Sequence, residues 1–252
     1  WQTRDFQMES ELTLKYPQLG AAYAKRAEVA LDLLNSKLDY TFAVSRRVRE
    51  IFMEFGANPD KIQVVNQVHD TIAPLIGQSK PFDGTPLRFG FIGGVMPHKG
   101  VHTIVQAAQL VPEGSAEFYV YGFASESYIE LLRSIDRKNR VKIMGEYQSS
   151  DLGSIAQNLS AMILPSIWED CAPFVITESL AMGLPVIGAR IGGFPDFIRD
   201  DYNGWLYAYN SPTELAGVIS GLASNPSKLH SWQANCHIPL TFKDHVDHVA
   251  GL

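Results

Sequence analysis

Two carboxylates, Asp170 and Glu178, sit eight positions apart in the segment LPSIWEDCAPFVITESLAMGLPVIG. The order of residues reads as strand end, acidic loop, helix and next strand. Pro173 suits the first position of that helix, where a missing N–H is no loss, and Gly183 suits its stop. Asp170 then lies at the helix entry, and Glu178 lies ~7.5 Å along the axis from Pro173. Backbone N–H groups at a helix N-terminus attract an anion, and flanking carboxylates accept hydrogen bonds from hydroxyls. Anion and hydroxyl recognition together suit a nucleotide-sugar. The plainer alternative has Asp170 capping the helix and Glu178 facing solvent.

A second cluster lies in GGVMPHKG, after the apolar run Leu87 to Ile92. Gly93 and Gly94 permit close backbone approach, and Lys99 can reach an anion above the strand end. The spacing matches neither the dinucleotide fingerprint nor the P-loop. Alone it would be a strand-to-helix turn with a solvated lysine. His98 reads either as a phosphate contact or as a polar loop residue. Cys171, at the same helix entry, could have a lowered thiol pKa, yet no His or Asn pattern nearby supports a nucleophile. Trp168 reads as packing at the loop base, and Asp200-Asp201 as a turn. His245 and His248, three apart on a C-terminal helix, read as surface residues rather than a metal pair.

The surrounding elements fit this placement. Helices are expected over Ala21 to Leu38 and Arg46 to Phe55, the latter capped by Ser45, with short strands at Tyr40 to Ser45 and Lys61 to Val65. The stretch Glu11 to Gly20 is interrupted by Pro17 and Gly20, and Asn66 to Pro86 reads as a linker. Beyond it, strands alternate with helices: Leu87 to Ile92, Val101 to Leu110, Ala116 to Tyr121, Ser125 to Arg137, Val141 to Met144, Ser150 to Leu159, Ala161 to Leu164, Pro173 to Met182 and Pro185 to Gly188. A short helical piece over Gly192 to Arg199, a strand at Trp205 to Tyr207 and a helix at Pro212 to Ser224 complete the series. Such alternation predicts an α/β fold with a doubly wound parallel sheet. Ligands of such sheets bind at the carboxyl ends of the strands, near the switch point.

Bulk properties narrow the function. The 252 residues carry 21 basic and 27 acidic side chains, a formal charge of −6, which argues against a nucleic-acid partner. The basic run SRRVRE reads as a solvated helix face. No apolar run is long enough to cross a membrane, and the N-terminus has no secretory pattern. Two cysteines make no disulfide framework and fit a reducing cytoplasm. The missing initiator Met suggests a chain cut from a longer one.

FIGGVMPHKG, the glycine of Tyr121-Gly122, MGEY, the long segment from Leu164 to Ile198 and DDYNGWLY together resemble the donor-binding half of family 4 retaining glycosyltransferases, group 1, with the GT-B fold. The resemblance covers roughly residues 40 to 250. It implies a Rossmann-like donor domain at 81–252, and a remnant of the acceptor-side domain plus linker at 1–80. By resemblance Asp170 and Glu178 are the family's E-x7-E pair, with Asp in first place. Asp170, rather than Glu169, would meet the donor-sugar hydroxyls, and Glu178 the ribose. Lys99 would neutralise the diphosphate; Gly94 stands where the family often carries an Arg. Backbone at Gly145, Glu146 and Tyr147 would border the base, and that at Cys171, Ala172 and Phe174 would approach phosphate and sugar. Gly93, Gly94 and Gly122 complete the binding set.

The resemblance implies a hexosyltransferase with no cofactor and no metal, whose donor is a UDP-, GDP- or ADP-sugar. The acceptor, a glycan, lipid or small molecule, would be bound mainly by a missing N-terminal domain, and the full-length protein could associate peripherally with membrane. A GT-B relative such as an epimerase, and a non-catalytic nucleotide-binding module, stay open as alternatives.

Overall fold

A computed structural model describes residues 15–67, 70–78, 84–236 and 242–251. Residues 1–14, parts of the expected linker at 68–69 and 79–83 with its boundary at 80/81, and the His248 side chain lie outside the described residues. The chain divides into two units, Trp1–Asn66 and Gln67–Leu252.

The first unit holds α1 (Pro17–Asp32), β1 (Thr41–Ala43), α2 (Arg46–Glu54) and β2 (Ile62–Val64), with β1 and β2 paired in parallel. Helix α1 begins earlier than expected, because Pro17 occupies its first position, where proline is tolerated, and Gly20 is absorbed inside it. It passes into a π turn at Leu33–Lys37. Ser45 caps α2 by accepting from the Val48 N–H, and Gly56 follows at φ 95°. Arg49 of the basic run is not merely solvated: its guanidinium donates to the backbone carbonyls of Ile62 and Pro59, tying α2 to β2. The buried core of this unit comprises Ala43, Ala57 and Ile62, with Leu31, Leu34 and Val48 against it.

The second unit is built on β3 (Leu87–Ile92), β4 (Ala116–Tyr121), β5 (Val141–Gly145), β6 (Ala161–Leu164), β7 (Val186–Ala189) and β8 (Gly204–Tyr207). All six pair in parallel, in the order β5-β4-β3-β6-β7-β8. The order reverses between β3 and β6, the switch point of a doubly wound sheet. Strands β6 and β7 are buried throughout, as expected of central parallel strands covered on both faces. Between them run α3 (Val101–Leu110), α4 (Glu126–Ile135), α5 (Leu152–Ala156) and α6 (Phe174–Met182), and after β8 come α7 (Pro212–Ser224), α8 (Ser227–Ala234) and α9 (Phe242–Ala250). Ser125 caps α4 and Ser211 caps α7 through their hydroxyls. One continuous core, from Ile72 to Trp232, fills this unit.

Several expected helices are shorter than the sequence suggests, among them the one expected over Ser125 to Arg137, which spans Glu126–Ile135. Ser150 to Leu159 resolves into a 3-10 turn at Ser149–Asp151 and five residues of α5, ended where the chain must drop Leu159 against Gly90 of β3. Gly192 to Arg199 keeps only a 3-10 turn at Phe194–Asp196, because Gly192 adopts φ 56° and the chain turns back onto Asp170. Helix α6 starts one residue late, with Pro173 as its N-cap at ψ 118°. His245 is half-buried rather than on the surface.

Candidate functional site

The loops that leave β3, β4 and β5 are locked at their roots by backbone bonds. Gly93 N–H donates to the Tyr121 carbonyl at 3.1 Å, and Gly122 N–H to the Gly145 carbonyl at 2.7 Å. Gly122 has φ 140°, and a Cβ there would collide with the Gly93 carbonyl. That close approach holds Gly93 and Gly94 at the rim of a cavity of about 400 Å³. The β3 loop then makes one 3-10 turn, Pro97–Lys99, and ends at Gly100 in the left-handed region, φ 72°. A Cβ on Gly100 would strike the Pro165 carbonyl, so glycine lets the β3 and β6 loops touch. Ile167 N–H donates to the His98 carbonyl at 3.0 Å across the same contact.

Asp170 is held from three sides. Its N–H donates to the Trp168 carbonyl at 2.8 Å, and its carbonyl accepts from Gly193 N–H at 2.8 Å. Ser166 Oγ in turn donates to the Trp168 carbonyl and accepts from the Trp168 N–H. Gly192, whose Cβ would press on the Asp170 backbone, completes the clasp. The Asp170 carboxylate does not cap α6. Its Oδ2 pairs with Lys99 Nζ at 2.5 Å, the two side chains being 23% and 35% exposed.

No side chain caps α6. Ala172 and the N-cap Pro173, with the first helical residues Phe174 and Val175, line the cavity, which presents the positive end of the helix to whatever fills it. Glu178, on the second turn, lines the same cavity rather than facing bulk solvent. Tyr147 reaches in from the loop after β5. Burial raises its phenol pKa, and the nearby Glu178 carboxylate adds to the rise.

Of the residues expected at the site, Gly93, Gly94, Lys99, Tyr147, Asp170, Ala172, Phe174 and Glu178 line the cavity, and Glu169 does not. Gly122, Gly145, Glu146 and Cys171 are not among the lining residues; the first two brace the strand ends. Cys171 is exposed, and its pKa moves up, not down: burial of the sulfur comes first, and then the carboxylates of Asp170 and Glu169. Trp168 does not pack at the loop base but stands 45% exposed, its ring edge-on to His98 at 6.2 Å. Gly100, Gly192 and Gly193 were missed; the glycine doublet after β7 was the available signal, and reading it as part of a helix hid it. Among the described residues no group of His, Cys, Asp and Glu could hold a metal ion, and no helix is long and apolar enough to cross a membrane.

Comparison with known proteins gives this geometry a context. The chain is 27% identical over 192 residues to D-inositol 3-phosphate glycosyltransferase of Corynebacterium diphtheriae, covering 69% of this chain and 45% of that protein. It is 28% identical over 141 residues to an uncharacterized glycosyltransferase of Methanocaldococcus jannaschii, covering 55% and 39%. The chain thus spans less than half the length of these relatives. Among solved structures, Anabaena HepE in complex with UDP and glucose superposes with a TM-score of 0.73 at 20% identity, over 90% of this chain and 66% of that one. TarM gives 0.72 at 17% identity, over 90% and 45%. These likenesses establish the parallel-sheet fold of GT-B glycosyltransferases. The family described as "Glycosyl transferases group 1" matches residues 86–225. That match spans more than half of the chain, and the protein belongs to the group 1 glycosyl transferases.

Proposed function

We propose that this chain supplies the donor-binding part of a glycosyltransferase that moves a hexose from a nucleoside-diphosphate sugar to an acceptor with retention. The observation that carries this reading is the convergence on one cavity of the uncapped start of α6, Lys99 and the two carboxylates Asp170 and Glu178. Each has a distinct task. The α6 amides and Lys99 oppose the charge of the diphosphate, both in the bound donor and as the leaving group gathers charge. Glu178 meets the ribose hydroxyls, and Asp170 those of the sugar. The bond from the anomeric carbon to the diphosphate oxygen breaks with its electrons staying on phosphate. The acceptor hydroxyl attacks the same face and passes its proton to the departing phosphate oxygen. Positioning and charge stabilisation supply the rate, with no cofactor.

Residues 81–252 form the donor domain in this reading, and 1–80 a remnant of the acceptor side with its linker. The acceptor, a glycan, lipid or small molecule, is bound mainly by a part of the protein beyond this chain. Two unpaired cysteines suit the cytoplasm. HepE was solved with UDP and glucose, which makes UDP the first nucleotide to try. Calorimetric titration with UDP, GDP and ADP tests the reading. One of them binds, and Lys99→Ala weakens it roughly 10- to 100-fold, the worth of a charged hydrogen bond. No binding of any of the three would overturn it.

A further inference from the structure

The ion pair between Lys99 and Asp170 joins the two groups that the proposed function sends to different parts of the donor. In the structure they satisfy each other. The contact is direct, at 2.5 Å, and both residues line the cavity. The Asp170 backbone is fixed by Trp168 and Gly193, and Lys99 sits on a 3-10 turn stopped by Gly100. The two loops are bonded to each other through Ile167 and His98, so backbone keeps the two side chains within reach of each other.

We infer that Asp170 is an internal rival of the diphosphate for Lys99, and that this rivalry makes the site prefer a sugar-bearing nucleotide to the bare diphosphate. The inference rests on the donor-binding reading above. A nucleoside diphosphate must draw Lys99 from Asp170, leaving a half-buried carboxylate short of a partner, which costs free energy. A nucleotide-sugar makes the same demand but brings hydroxyls that donate to that carboxylate. Once the sugar has been transferred, the hydroxyls leave with it. Asp170 then reclaims Lys99 and loosens the spent diphosphate, so the carboxylate that orients the donor also helps eject the product.

A double-mutant cycle on the intact chain tests this, with UDP as the probe in calorimetry and thermal melting as the check on folding. Asp170→Asn keeps the shape and removes the rival charge, and UDP is expected to bind roughly 2- to 5-fold more tightly, the scale of a partly exposed ion pair. The tightening must depend on Lys99: in a Lys99→Met background, Asp170→Asn is expected to leave UDP affinity unchanged. Equal tightening in both backgrounds would mean simple repulsion between Asp170 and phosphate, and would overturn the inference. So would a wild type that binds UDP and an Asn variant that binds it no better. Failure of every variant to bind UDP, GDP or ADP would remove the donor-binding reading as well, which separates the two failures. If Asp170→Asn does not fold, Asp170→Ser provides the same comparison.

Discussion

At the scale of single residues, chemistry depended on neighbours that the local sequence does not name. Asp170 and Glu178 could be picked out because proline and glycine bracket their helix, and both do line one cavity. The partner of Asp170, Lys99, lies 71 positions away, and only the adjacency of β3 and β6 brings them together. Cys171 shows the reverse error. A helix N-terminus favours a thiolate, yet two adjacent carboxylates and partial burial disfavour it, and they prevail. A raised folded pKa keeps the thiol protonated near neutral pH. Cys171 is therefore expected to react with iodoacetamide more slowly than free cysteine despite its exposure, with the rate climbing as pH rises. Cys236, pushed up to about 12 by burial, is expected to label only after unfolding. Mass spectrometry of timed alkylation reads both. Fast neutral-pH labelling of Cys171 would contradict this balance of charges.

At the scale of elements, strands and helices with strong apolar patterns were legible and their ends were not. The β6 and β7 runs are apolar throughout and lie in the sheet where expected. The errors fell on Ser150 to Leu159 and Gly192 to Arg199, where helical patterns are cut short by contacts distant in sequence. Glycine at the strand ends illustrates the cause. Gly122 looked like a ligand contact, but its φ of 140° and its approach to Gly93 give it the task of joining β3 to β4. Gly122→Ala is expected to destabilise the protein by ~1–3 kcal/mol, since the new Cβ meets backbone that cannot step aside. A urea titration measures this. Nucleotide affinity should fall in the same variant, because Gly93 and Gly94 move with the collision. Wild-type stability in Gly122→Ala would show that the strand ends yield.

At the scale of the whole molecule, the two units differ in how much they bury. The second unit contains a core that runs from Ile72 to Trp232, large enough to fold by itself. Among its described residues the first buries four apolar side chains, Ala43, Ala57, Ile62 and Val65, too few to balance the entropy of ordering its residues. A fragment of residues 67–252 is accordingly expected to unfold cooperatively and keep its nucleotide affinity, while 1–66 alone stays unfolded by circular dichroism. An unfolded 67–252 fragment would show that its core needs the first unit. By itself the sequence determined the α/β class and the alternation of elements, because apolar periodicity is local and repeats along the chain; helix-end chemistry marked the two acids only as a plausible site, and the family resemblance singled them out. Tertiary structure alone decided that Lys99 meets Asp170 and that glycines at 100, 122 and 192 are points of backbone contact. Those outcomes are set by distances between segments far apart in sequence, and burial and charge act through distance.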